Sequence, residues 1–251
     1  MATKDYDIKG FDRIRIGGAF EFSVTHGDTF KVSITSDPLK MVEVRREGDT
    51  LRIGQAWYSF LWGWLTFWAH PSASITLPEL RELRVSGASH GDAFDFSTTH
   101  DFAVYVEGAS RLRIGAVSAG DVKMRVAGAS QLEFLKINGA RGSIDVMGAS
   151  RLSGEMELAG DIKVDVVGAS RIELSGSAQD AAYTFAGASH AKLEYFSVRN
   201  AKVKAYGASN VVVKADGRLD VEAMGASHVS WVGNPTMGDV KSAGASTLHK
   251  A

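Results

Sequence analysis

Cysteine is absent from this 251-residue sequence, and so is any long apolar run. The first absence excludes disulfide bonds, thiolate metal sites and a cysteine nucleophile. The second leaves no stretch approaching the ~20 residues that a helix needs to span a bilayer. The opening residues MATKDYDIKG contain no apolar segment of the kind found in secretion signals, so we expect no signal peptide in this chain.

Neither sign of charge prevails, and proline is scarce. The chain has 28 Lys+Arg against 29 Asp+Glu, a formal net charge of −1. Because nucleic-acid-binding proteins normally carry a basic field, we expect no nucleic-acid partner. Only 4 prolines accompany 27 glycines, whereas collagen and disordered linkers are rich in both. The glycines therefore serve a repeated requirement of the backbone.

The sequence does contain nine copies of the tripeptide Gly-Ala-Ser. The copies begin at residues 87, 108, 128, 148, 168, 187, 207, 225 and 244. Neighbouring copies start 18 to 21 residues apart. A period near 20 residues indicates a solenoid, in which each repeat is one supersecondary unit stacked on its neighbours.

Apolar and polar residues alternate on both sides of each tripeptide. Around the third copy, Met124 and Val126 precede the glycine with Arg125 between them, and Leu132 follows it. A period of two indicates strands. No segment has the 3.6-residue period of the helix in a leucine-rich repeat. We therefore predict an all-β fold, a single-stranded right-handed parallel β-helix with about 20 residues per coil, right-handedness being the rule for parallel crossovers.

Each tripeptide is predicted to form a corner of a coil. Glycine reaches left-handed backbone conformations without a Cβ penalty, alanine fits beneath a crowded bend, and serine bonds the turn backbone or the serine of the next coil. The corner residues singled out are Gly108, Ser110, Gly128, Ser130, Gly148, Ser150, Gly168 and Ser170. This interpretation makes the tripeptide structural and not catalytic.

We expect one β-solenoid domain over residues 1–251. Residues 1–80 would supply strands and capping coils, with a Trp-rich insert at 56–70, and residues 81–251 would form nine regular coils. The spacing of apolar residues around Gly18 suggests a degenerate first corner.

With these features the chain resembles the auto-transporter adhesins with a head GIN domain. The matching stretches are IKGFDRIRIGGAFEFSVTHGD, GDTLRI, ITLPELRELRVSGAS and GNPTMGDVKSAGASTL, which together span nearly the whole sequence. The resemblance implies a right-handed parallel β-helix and a bacterial envelope or extracellular location. It brings no established activity and no catalytic residues. The segment AWYSFLWGWLTFWAH departs from the family pattern.

That departing segment is the strongest feature outside the repeat. It holds four of the five Trp, and it contains no Lys or Arg that would help it bind an anionic surface. Three interpretations stay open: a core lid, a protein–protein or oligomer surface, and insertion into a membrane interface. The candidate patch consists of Trp57, Tyr58, Phe60, Leu61, Trp62, Trp64, Phe67 and Trp68.

The residue after each tripeptide forms a predicted column along the stack. Its members are His90, Arg111, Gln131, Arg151, Arg171, His190, Asn210 and His228, with Thr247 at the end. The three histidines are not in neighbouring coils, so they are too far apart to share a metal ion, and we expect no metal and no cofactor. The column is either a solvated polar stripe or a shallow ligand surface suited to sugar hydroxyls or carboxylates.

A second column suggests a weaker, enzymatic alternative. Arg125, Asp145 and Asp165 would occupy successive coils, and Asp121 and Asp161 recur at equivalent corners. Some parallel β-helices cleave polysaccharides with such groups, as lyases or hydrolases, but a solvated strand face looks the same.

The leading prediction of function is a non-enzymatic envelope or surface binding module, adhesion-like, that presents a rigid face to a protein, a glycan or a membrane. A different class is a structural protein that self-assembles into homo-oligomers through the solenoid ends or the Trp-rich segment, because open strand edges invite pairing with another chain.

Overall fold

The computed structural model describes residues 2–37, 42–55 and 71–251, and in these ranges the chain forms strands joined by turns and bends. No helix in the described part could cross a membrane.

Most strands belong to one of two series, set by their position relative to the tripeptide corner. The pre-corner strands, which run into a corner or pair in parallel with a strand that does, are β2 (Arg13–Gly18), β6 (Thr50–Gln55), β8 (Glu82–Gly87), β11 (Phe102–Val106), β13 (Val122–Val126), β15 (Gly142–Gly148), β17 (Ile162–Gly168), β21 (Arg218–Gly225) and β23 (Thr236–Gly244). The post-corner strands are β3 (Glu21–His26), β7 (Ser72–Leu77), β9 (His90–Phe94), β10 (Phe96–Ser97), β12 (Arg111–Ser118), β14 (Gln131–Gly139), β16 (Arg151–Leu158), β20 (Asn210–Ala215), β22 (His228–Val232) and β24 (Thr247–Lys250). Two long strands, β18 (Arg171–Gly187) and β19 (His190–Gly207), contribute a half to each series.

Strands of the same series pair in parallel from one coil to the next. In the pre-corner series Val126 lies beside Val146, which lies beside Val166. The inward-facing residues therefore stack in apolar columns, and these columns form the buried core. The predicted β-solenoid with a repeat near 20 residues is confirmed.

The glycine of each tripeptide meets two requirements at its corner. Gly148 has a φ of +85°, in the left-handed region that favours glycine. A Cβ built there would lie 2.5 Å from the carbonyl oxygen of Gly128, its equivalent in the preceding coil. At the nine corners this distance lies between 2.2 and 2.8 Å. A side chain would therefore force neighbouring coils apart.

The serine of each tripeptide ties its corner to the coil before it. The Ser150 hydroxyl is buried and lies within hydrogen-bond distance of the carbonyl oxygens of Gly128, at 3.2 Å, and Met147, at 2.8 Å. The amide of Ala149 donates to the same Gly128 oxygen at 2.8 Å. Buried hydroxyls need such partners, and the equivalent serines of most other coils make the same contacts.

The post-corner strands bend halfway along their length. Phe134 and Ile137 are buried, but Leu135 between them is 72% exposed, so the alternation of inward and outward side chains slips by one residue. The pairing of β14 with β16 shifts register at the same place, between Phe134 and Lys136. Such a bulge bends a strand and redirects the side chain at the extra position.

The first coils do not stack in the order of the sequence. Strands β2 and β3 pair with β8 and β9 on one side and with β6 and β7 on the other. The coil formed by β6 and β7 is therefore farther out, although it follows β2 and β3 in the chain. Gly18 lies beside Gly87, so it occupies the corner of its coil.

The two ends of the solenoid differ. At the end near β6 and β7, three further strands run antiparallel: β5 (Val42–Glu47) pairs with β6, β4 (Lys31–Ser36) with β7, and β1 (Ala2–Tyr6) with β4. At the other end, no described strand pairs with the outer edges of β23 and β24. Val240 in this last coil is 46% exposed.

Candidate ligand-binding face

The predicted column of polar residues forms one continuous row. Arg111 lies beside Gln131, which lies beside Arg151, and Arg151 lies beside Arg171. The row, which we name the polar column, continues with His190, Asn210, His228 and Thr247, and His90 precedes it. The structure adds Glu21 beside His90 and Ser72 beside Glu21. Sequence reasoning missed these two because their coils lack the tripeptide that marks the position.

Three arginines of the polar column are exposed and carry no partner. Among the described residues, Arg111, Arg151 and Arg171 make no side-chain hydrogen bond, ion pair or ring contact. Many other arginines of the chain are engaged. For example, Arg141 bonds Asp121 at 2.6 Å. Each of the three guanidinium groups is thus free to bind an anion from solution. A single guanidinium group can donate two parallel hydrogen bonds to one carboxylate.

A second row, which we name the mixed column, runs beside the polar column two residues further along each strand. Its members are Asp92, Arg113, Glu133, Ser153, Glu173 and Lys192. Arg113 bonds Asp92 at 2.7 Å, and this hydrogen bond raises the pKa of the guanidinium. Lys192 lies 3.7 Å from Glu173. Exposed pairs like these add little stability, but they offer donors and acceptors side by side.

Beyond the mixed column, the bend in the post-corner strands exposes three large apolar side chains. We name this part of the surface the apolar bend. Phe94, Leu135 and Tyr195 are 46%, 72% and 75% exposed. They belong to the first, third and sixth tripeptide coils, so at ~4.8 Å per coil they lie roughly 10 and 14 Å apart along the stack. Sequence reasoning missed them because an uninterrupted alternation does not reveal where the bulge falls.

Two depressions join these three features into one groove. One, of about 720 Å³, is lined by Glu21, His90, Arg111 and Gln131 among others. The other, of about 890 Å³, reaches across the bend to Tyr195. They share Asp92, Arg113 and Glu133, so one groove runs from the polar column at Arg111 to the apolar bend. Arg151 and Arg171 border this groove, two residues before its lining residues Ser153 and Glu173.

The Trp-rich patch lies outside the described residues. Its members are Trp57, Tyr58, Phe60, Leu61, Trp62, Trp64, Phe67 and Trp68. The segment connects β6, which ends at Gln55, to β7, which begins at Ser72. Its three interpretations stay predictions.

The residues of the enzymatic alternative lie on the pre-corner face, away from the groove. Arg125, Asp145 and Asp165 are in register on successive coils. Lys163 lies 2.6 Å from Asp165, and this hydrogen bond raises the pKa of the lysine. In the described ranges no cluster of three or more His, Cys, Asp or Glu could hold a metal ion. Asp121 is paired with Arg141 at its corner.

Comparison with protein families gives one match. The family described as "Putative auto-transporter adhesin, head GIN domain" matches residues 10–156 and 135–235. The two ranges overlap and together cover most of the chain. No curated protein matches the sequence.

Several solved structures share the fold at low identity. A "putative lipid binding protein" from Parabacteroides distasonis is 19% identical with a TM-score of 0.64, covering 100% of this chain and 96% of that one. A "putative adhesin" from the same species is 16% identical with a TM-score of 0.70, at 100% and 96% coverage. Another "putative adhesin", from Parabacteroides merdae, is 15% identical with a TM-score of 0.69, at 100% and 95% coverage.

Proposed function

This chain belongs to the family described as "Putative auto-transporter adhesin, head GIN domain", and from that premise we propose that it is an adhesion-like binding module of the cell surface or envelope. The proposed binding site is the groove along the post-corner strands together with the stretch of the polar column that borders it, from Arg111 to Arg171. The names given to the similar solved structures, adhesins and a lipid-binding protein, support binding in place of catalysis.

The observation that carries the proposal is the row of unpartnered arginines on a rigid scaffold. Arg111, Arg151 and Arg171 project from strands that pair with neighbours on both sides. Their backbone is held by strand pairing on both sides, so on the protein's side binding orders side chains and not backbone, which lowers the entropic penalty. Charge-assisted hydrogen bonds from guanidinium groups are roughly twice as strong as neutral ones. The site is suited to holding a ligand without changing it.

We expect loss of these three guanidinium groups to abolish most binding. The wild-type chain and the triple variant Arg111→Ser, Arg151→Ser, Arg171→Ser would be tested on a solid-phase panel of purified polysaccharides, extracellular-matrix proteins and anionic lipid vesicles. Because the three arginines are exposed, each ion pair that they make with a ligand is worth up to about 1 kcal/mol, and the three together about 3 kcal/mol. The triple variant is therefore expected to bind its preferred panel member on the order of a hundredfold more weakly.

The matched control is Arg141→Ser, Arg199→Ser, Arg218→Ser, which removes the same charge. These arginines are already paired with Asp121, Asp180 and Asp220 and lie outside the groove. The control should bind like wild type. Equal losses in both triple variants would mean that net charge alone attracts the ligand, and a wild-type chain that binds no panel member would end the proposal.

A second candidate function, self-assembly, is favoured by the exposed last coil. The outer edges of β23 and β24 have no partner strand in the described part, and Met237 and Val240 are exposed large apolar residues there. Free edges pair readily with another chain. Two copies related by a two-fold axis would place the two β23 edges antiparallel to each other, which closes the assembly as a dimer.

Sedimentation equilibrium over a range of concentrations tests this candidate. The wild-type chain is expected to dimerise, and Val240→Lys to weaken the dimer on the order of tenfold or more, because it brings two charges together at the dyad. Val167→Lys is the control, since Val167 is equally exposed but lies in the middle of the stack. A wild type that stays monomeric throughout would eliminate self-assembly through this end.

A further inference from the structure

The proposed binding role can be taken one step further, to the class of ligand. Resting on that role, we propose that the groove binds an extended acidic polysaccharide whose chain runs along the solenoid stack. Its carboxylates would meet the polar column, its sugar faces the apolar bend, and its hydroxyls the mixed column.

The spacing of the arginines calls for a polymer. Arg151 and Arg171 are in neighbouring coils, and Arg111 is two coils before Arg151. At ~4.8 Å per coil the row spans roughly 14 Å. One small anion reaches only one or two of these groups, whereas a chain with a carboxylate on successive sugars reaches all three.

The apolar bend favours sugars over a lipid surface. Phe94, Leu135 and Tyr195 are separated along the stack by two and three coils, with carboxylates and an amine between them, including Glu133, Glu155 and Lys136. Insertion into a lipid surface buries a continuous apolar face, which these separated side chains do not form. A pyranose ring has one face of C–H groups that packs on an aromatic ring, whose face is electron-rich, and its edge carries hydroxyls.

The charges across the groove set the orientation of the ligand. The polar column has free cations. The side toward the bend is lined by two cations, Arg113 and Lys192, and by six carboxylates, those of Asp92, Asp95, Glu133, Glu155, Glu173 and Glu194. Carboxylates of the ligand would be repelled from that side and attracted to the arginines. Hydroxyls on its opposite edge donate hydrogen bonds to the protein carboxylates.

Calorimetric titration of the full chain with polygalacturonate tests the inference, and carboxyl-reduced polygalacturonate serves as the neutral probe of the same backbone. We expect the wild type to bind the acidic polymer, and reduction of its carboxylates to weaken binding on the order of tenfold or more. Added salt should weaken it as well. Tyr195→Ser and Leu135→Ser should each weaken it several-fold, and Val167→Ser, an exposed position outside the groove, should not.

The possible results distinguish failure of this inference from failure of the proposed binding function on which it rests. Equal binding of the acidic and neutral polymers, or binding unaffected by Tyr195→Ser and Leu135→Ser, overturns the inference. Tighter binding of oligo(dT) or of phosphatidylglycerol vesicles through the same arginines also overturns it, and leaves the binding role standing. If the wild type binds none of these probes and nothing on the panel, both fail.

Discussion

Replacing Gly148 with alanine is expected to destabilise the solenoid by more than about 4 kcal/mol and to sharply lower the yield of soluble protein. A left-handed conformation costs a non-glycine residue about 1–2 kcal/mol. In addition, the new Cβ would lie 2.5 Å from the Gly128 oxygen, and that atom belongs to backbone that cannot rotate away. The free energy of unfolding in urea, followed by circular dichroism, measures the loss.

Gly48→Ala separates the cost of the left-handed conformation from the cost of the contact with a neighbouring coil. Gly48 also has a positive φ, +59°, but no atom lies within 4 Å of the Cβ it would acquire. Only the conformational cost of about 1–2 kcal/mol is expected there. If the two substitutions lower stability equally, close stacking of the corners does not explain the recurring glycine.

Truncation of Phe196 to alanine is the second large effect that we expect. This ring is fully buried among the inward-facing residues of its coil. Removing a buried phenylalanine costs about 3–5 kcal/mol, from lost transfer free energy and the cavity left behind. The same urea titration should show the midpoint falling.

Its neighbour Tyr195 provides the matched comparison. Tyr195 is also aromatic but is 75% exposed, because the strand bends between the two positions. Tyr195→Ala is expected to change stability by no more than about 0.5 kcal/mol. A larger loss would show that Tyr195 packs against the fold and does not face the groove.

The repeated coil could be predicted from sequence because one backbone requirement recurs in each repeat. Each corner requires glycine for two reasons, a positive φ and the close approach of the preceding coil, so neither alanine nor serine could replace it. The serine is fixed by a buried hydrogen bond, and the flanking apolar positions by burial. The position after the serine follows by counting, which is why the polar column, Arg111 and Arg151 included, could be predicted.

The other half of the groove could not be predicted in this way. Leu135 and Tyr195 have the composition of core residues, and only the slip in register turns them outward. A slip depends on the pairing of two coils and has no fixed residue type at its site. The partner-free state of Arg171 depends in the same way on side chains from neighbouring coils.

The start of the solenoid shows a third limit. The apolar alternation in β2, β3, β6 and β7 indicates strands, and the spacing around Gly18 suggests a corner. Nothing in that alternation states which coil lies outermost, because either order buries the same residues. The family resemblance implied the fold class but did not supply this detail.

The uniform corner also bears on how such a chain changes in evolution. Because every inner coil presents the same glycine oxygen to the next, a duplicated or deleted segment of one whole repeat rejoins the stack without mismatch. A partial repeat would put a side chain where two corners touch. Length should therefore vary among descendants in whole coils, each adding ~4.8 Å to the groove while leaving its cross-section unchanged.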